Sequence, residues 1–149
     1  LRIEHAILWI LDEARGTLYT LASRGYERGG TGAELTLEDA GLAGVAVREG
    51  VPIRIGHMTQ MYRYGMAARE QLRALGLEEM MRREIPLPGL ATPRSQLAVP
   101  LRRRGRSVGA LLVESDRDQF FSYDDEDALA LIANQFASAL ATIYGASGL

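Results

Sequence analysis

The sequence predicts an α+β domain built on an antiparallel sheet. Three observations carry this: short apolar, β-rich runs closed by turn residues, segments of helical spacing introduced by capping-type residues, and the chain order β-β-α-β-α-β-β-α. No internal repeat or low-complexity tract interrupts that order. The 149 residues suit one domain with a single sizeable core, and the chain is read as one domain over 1–149.

Ala6 to Leu11 is a continuous apolar run closed by Asp12-Glu13, which fits a buried strand entering a turn at Arg15-Gly16. Thr17 to Arg24 alternates and completes an antiparallel hairpin. The stretch from Gly25 to Gly32 carries four glycines and reads as an irregular loop. Thr36-Leu37-Glu38-Asp39 has the form of a capping box, with Leu42, Val45 and Ala46 at helical spacing behind it and Gly50 and Pro52 ending the element. Pro52 to Ile55 reads as an edge strand, because proline removes a ladder donor.

Gly56 to Pro93 is the least regular stretch, with helical preference over 66–83 and breakers at Pro86, Pro88, Gly89 and Pro93. Gln96–Leu101 and Val108–Val113 form a second hairpin around an arginine-rich turn. Ser122 and Asp125 make another capping box, with acidic residues where the helix dipole favours them. Leu129, Ile132, Ala133, Phe136, Leu140 and Ile143 then share one stripe of a final helix.

Composition excludes several chemistries. Cysteine is absent, so there is no disulfide, thiolate metal site or cysteine nucleophile. All 17 basic residues are arginine, which removes Schiff-base and P-loop lysine chemistry and leaves anion recognition to guanidinium groups. A formal charge of −2 argues against general nucleic-acid binding. No apolar run reaches the ~20 residues a bilayer span requires, so no membrane insertion is expected. A cytoplasmic location is expected. The chain starts at Leu1 and is expected to be a piece of a longer protein.

Arg24-Gly25, Gly41-Leu42-Ala43-Gly44-Val45-Ala46 running into Gly50-Val51-Pro52-Ile53, Ser95 to Leu101 beside Ser107 to Val113, and Phe121-Ser122 opening an alanine-rich helix occur in an order and spacing that resembles a GAF domain. GAF domains are PAS-related sensor modules of signalling proteins. The resemblance implies a central antiparallel sheet of five or six strands, with helices on one face and a ligand pocket on the other. It also implies a first helix before Leu1, missing or truncated here, and a homodimer through the terminal helices.

The resemblance implies a non-catalytic sensory role. A small molecule would bind between the sheet and the Gly56–Pro93 stretch, and its state would pass to an output domain of the same chain, such as a kinase or nucleotide cyclase. Free methionine sulfoxide reductases and bilin-binding members of the family use cysteine, which this chain lacks. Cyclic-nucleotide-binding members carry Asn-Lys and Phe-x-x-x-Asp-Glu. Here Phe121, Asp125 and Glu126 match the second half, but Glu114-Ser115 stands in place of the first, which disfavours cyclic nucleotide.

Six residues are ligand-binding candidates: His57, Tyr62, Arg63, Tyr64, Arg94 and Ser95. Tyr62 and Tyr64 offer apolar bodies with polar tips, and Arg63 offers a fork for carboxylate or phosphate. Arg94-Ser95 flanks the same region. His57 could donate to a ligand or act as an axial haem ligand, so a haem or redox sensor is one alternative reading. A ligand-free dimerisation module is the other. Neither a metal site nor a catalytic residue is expected: two distant histidines make a poor ligand set, and no histidine–carboxylate constellation stands out. Arg54 and the arginines at 102–106 read as solvated charge, and the acidic stretch from Glu114 to Asp127 as capping and solvation.

Overall fold

The structure is a computed structural model that describes residues 2–26, 30–56 and 93–144. Its strands are β1 (His5–Asp12), β2 (Thr17–Arg24), β3 (Glu34–Thr36), β4 (Ile53–Ile55), β5 (Ser95–Arg103) and β6 (Arg106–Ser115). They form one sheet in the order β3-β2-β1-β6-β5-β4, every neighbouring pair antiparallel. The described helices are α1 (Gly41–Glu49) and α2 (Tyr123–Tyr144). The expected α+β class and antiparallel sheet are present, with six strands.

Strand β6 is buried on both sides from Gly109 to Ser115, whereas β1 buries Ile7 and Trp9 on one face and only half-buries Ala6, Leu8 and Ile10 on the other. One face presents Ile7, Trp9, Leu18, Leu35, Ala98, Ala110 and Leu112, and Ala43, Ala46 and Val47 of α1 pack on it. The opposite face presents Leu97, Val99, Leu101, Leu111 and Val113, covered by Leu129, Ala133, Ala137 and Leu140 of α2. The helices therefore divide between the faces. The small α1 lies over β5 and β6 on the side expected to hold the pocket, and the long α2 covers the other.

Local chemistry explains most of the boundaries. Gly109 lets β6 approach β1, since a Cβ there would collide with the Trp9 carbonyl. The β5–β6 turn holds Arg104 at φ 52° and Gly105 at φ 76°, the paired left-handed conformation of a two-residue hairpin. At the start of α2, Ser122 N–H donates to Asp125 Oδ2 (2.9 Å) and Asp125 N–H donates to Ser122 Oγ (3.2 Å), the reciprocal capping box expected there.

The first expected capping box takes another role. Asp39 N–H donates to Thr36 Oγ1 at 3.3 Å, but this closes a turn after β3, and α1 begins later, behind Ala40, which makes no side-chain cap. The competing local turn wins because Thr36 is held in β3 by pairing with Thr17. The α2 stripe also divides. Leu129, Ala133 and Leu140 are buried, whereas Ile143 is 73% and Phe136 38% exposed, with Leu131 at 66% on another side.

Candidate functional site

On the α1 face, strand alternation brings Gln96, Ile55 and Glu114 to the end of the sheet where β4 stops. Glu114 is level with His5 across β1–β6 and with Gln96 across β5–β6. Its place follows from parity: Ala110 and Leu112 lie under α1, so Glu114 points to the same side. Glu114 is only 3% exposed. The Tyr26 hydroxyl donates to its Oε1 at 2.8 Å and Gln96 Nε2 donates to its Oε2 at 2.6 Å. Tyr26 also lies against the His5 ring, with centroids 5.3 Å apart, and His5 Nδ1 donates to the Gly25 carbonyl at 2.9 Å.

Burial above all, and then the charge and hydrogen bond of Glu114, push the Tyr26 phenol far above its ordinary pKa. Tyr26 therefore stays a donor through the whole ordinary pH range. The Tyr26 hydroxyl and the Gln96 amide are among the groups that orient this buried carboxylate, on the face that also carries Ile7, Ala98 and Leu112. Such a group suits recognition of a polar ligand atom on an otherwise apolar surface.

A second set of contacts joins this end of the sheet to α2. The Gln119 N–H donates to the Gly56 carbonyl (2.8 Å) and the Arg94 N–H to the Ser115 carbonyl (2.9 Å). The Ser95 hydroxyl donates to the Arg117 carbonyl at 2.7 Å. Arg54 donates to the Phe121 carbonyl at 3.0 Å, and its guanidinium carbon sits 4.1 Å from the centre of the Tyr123 ring. Arg54 is thus a strut between the edge strand and the start of α2 rather than a solvated edge charge.

Of the residues singled out from sequence, Arg94 is exposed, and Ser95 is buried on the face that α2 covers. Ser95 thus lies on the opposite side of the sheet from Glu114. His57, Tyr62, Arg63 and Tyr64 lie outside the described residues, as does the helical preference over 66–83. Glu114, Tyr26 and Gln96 escaped the sequence reading. For Glu114 a signal was available, because the alternation of β6 turns it inward with Ala110 and Leu112; grouping it with the acidic residues that follow concealed this. Among the described residues, no group of three or more His, Cys, Asp or Glu could hold a metal ion.

A six-stranded antiparallel sheet with a short helix and a buried polar cluster on one face, and a long helix on the other, defines an α+β domain with its helices on both sides of one sheet. The chain belongs to the GAF domain family, whose model matches residues 1–141. Among solved structures it is similar to the GAF domain of an Acinetobacter phosphoenolpyruvate-protein phosphotransferase, at 22% identity and TM-score 0.70, covering 97% of this chain and 76% of that one. It is also similar to a type II free methionine-R-sulfoxide reductase from Thermoplasma acidophilum, at 20% identity and TM-score 0.64, covering 94% and 80%. A methyl-accepting chemotaxis protein matches at 18% identity and TM-score 0.66, covering 95% and 79%. These likenesses show the fold. No curated protein matches the chain. No helix among the described residues is long and apolar enough to cross a membrane.

Proposed function

We propose that this GAF domain is a non-catalytic, cytoplasmic sensor that binds a small molecule on the α1 face and passes its state through α2 to an output domain. The observation that carries the reading is Glu114, a carboxylate held at 3% exposure on the face that carries Ile7, Ala98 and Leu112. Burying an ionisable side chain carries a desolvation cost even when it is hydrogen-bonded, and its retention on this apolar face supports a binding role. Transmission is supported by the bonds that tie Gly56, Arg54, Arg94 and Ser95 to residues 115–121, directly ahead of α2. A ligand biases the output only by binding the two states with different affinity.

The non-catalytic reading rests on the absence of cysteine and lysine. Native mass spectrometry of gently purified protein tests the proposal. A bound species of defined mass, retained by the native chain and lost from Glu114→Ala, is the expected result. Apo protein from every preparation, with no metabolite raising the melting temperature, would remove the sensor reading.

A second reading, a ligand-free dimerisation module, is favoured by the exposure of Leu131, Phe136 and Ile143 on α2. Association that depends on concentration, with the ligand test negative, would select it. A haem or redox sensor through His57 would show a Soret band after haem reconstitution, and its absence would exclude that role.

A further inference from the structure

We propose that the indole N–H of Trp9 and the hydroxyl of Thr20 form a two-point site for a single oxygen acceptor on the α1 face of the sheet. The two residues pair directly across β1–β2. Cross-strand partners project to the same face with their Cβ atoms about 4.5–5.5 Å apart. Trp9 is 3% and Thr20 0% exposed, yet among the described residues neither Trp9 Nε1 nor Thr20 Oγ1 has a hydrogen-bond partner, the other included. Leaving a buried donor unmade opposes folding, and two such groups on directly paired residues of one face point to one species that serves both.

The surroundings reinforce this. Ile7, Leu18, Leu35 and Ala110 share the cluster with Trp9 and bring no side-chain acceptor. The register shift between Leu8 and Trp9 makes Leu21 an extra residue in β2, beside Thr20. Bulges of this kind re-aim side chains next to binding sites. Trp9 is a donor only, and a threonine hydroxyl donates or accepts. The complementary group is an oxygen with two lone pairs: a carboxylate or carbonyl oxygen of a bound molecule, or an ordered water. An ammonium group does not fit.

The chain has one tryptophan, so a proton–nitrogen spectrum contains one indole resonance, which reports on this site alone. Thr20→Val keeps the shape and the β-branch while removing the hydroxyl. With an acceptor in place, the melting temperature falls by about 2–4 °C and the indole resonance moves. The losses from Thr20→Val and Trp9→Phe are then non-additive, because both remove partners of one atom. Acetate identifies the source. A saturable shift of the indole resonance with acetate, absent from Thr20→Val, assigns a ligand oxygen. Magnetisation transfer from a long-lived water, without an acetate response, assigns an ordered water. If Thr20→Val instead raises the melting temperature, leaves the indole resonance in place and adds to Trp9→Phe, the site does not exist. The ligand arm rests on the sensor reading; the sign of the Thr20→Val effect does not, so failure of one is distinguishable from failure of the other.

Discussion

The two faces of the sheet are made from the same strands and serve different ends. Under α2, leucines and valines from β5 and β6 meet Leu129, Ala133, Ala137 and Leu140, and the buried Ser95 hydroxyl is bound to the Arg117 carbonyl. Under α1, Ile7, Trp9, Leu18 and Leu112 meet Ala43, Ala46 and Val47, and the same face holds a carboxylate, a half-buried phenol, and the polar atoms of Trp9 and Thr20, which have no partner among the described residues. Large aliphatic packing contributes stability, while polar groups in an apolar setting contribute selectivity at a cost in stability. On the proposed sensor reading, the contrast separates the two tasks by side of sheet. Substitutions on the α2 face should act on folding. Those on the α1 face should act on ligand response out of proportion to their effect on folding.

The largest expected effect is on the α2 face. Leu129 is fully buried among β-strand side chains, so Leu129→Ala removes contacts and leaves a cavity. A loss of about 2–5 kcal/mol is expected in chemical denaturation, with no change in the ligand mass retained by the folded fraction. A smaller loss together with abolished binding would break the division between faces.

Next comes the carboxylate. Glu114→Ala leaves the Tyr26 hydroxyl and the Gln96 amide without their acceptor, a cost of about 1–3 kcal/mol. Glu114→Gln preserves shape and acceptor capacity for one donor. It is expected to lose less stability while still weakening ligand retention. If Glu114→Gln binds as the native chain does, the charge has no part in recognition.

How much of this was legible in the sequence follows the same division. Elements defined by local pattern were readable: the β1–β2 and β5–β6 hairpins, the edge position of β4, and the Ser122–Asp125 cap. Strand β3 was not, because three residues carry no periodicity and Leu35 is fixed only by pairing with Leu18 across a glycine-rich connection. Thr36–Asp39 carried a helix-start signal that tertiary pairing converted into a turn. Arg54 was unreadable because its partners, Phe121 and Tyr123, lie far along the chain. Of the site, only Glu114 could have been found, by counting alternate residues along β6. Tyr26 sits at the mouth of a glycine-rich loop with no pattern, and its role exists only once β6 has placed Glu114 beside it.

Tyr26 gives the comparison a pH signature. Its folded-state pKa lies above the unfolded value of about 10, so the folded chain holds the phenolic proton more tightly. The stability it contributes is fully present below about pH 10 and is lost as pH rises from there through the folded-state pKa. Tyr26→Phe is expected to lower stability at neutral pH by about 0.5–1.5 kcal/mol and to flatten the alkaline decline. Because burial is the largest cause of the shift, Glu114→Gln should reduce the decline without abolishing it. An alkaline profile identical in native chain and Tyr26→Phe would show that the phenol is solvated.

The smallest expected effect lies on the outer side of α2, where the two-face picture meets the dimerisation alternative. Leu131 is 66% and Ile143 73% exposed, so neither contributes packing to this chain. Leu131→Ser should change the stability of the isolated domain by no more than about 0.5 kcal/mol, the usual range for surface positions. If the stripe is an interface between copies, the same substitution shifts the association midpoint to higher protein concentration. The melting temperature of the native chain then rises with concentration while that of Leu131→Ser does not. A concentration-independent melting temperature in both, with ligand still bound, would assign α2 to transmission within one chain and leave its outer surface without a role in assembly.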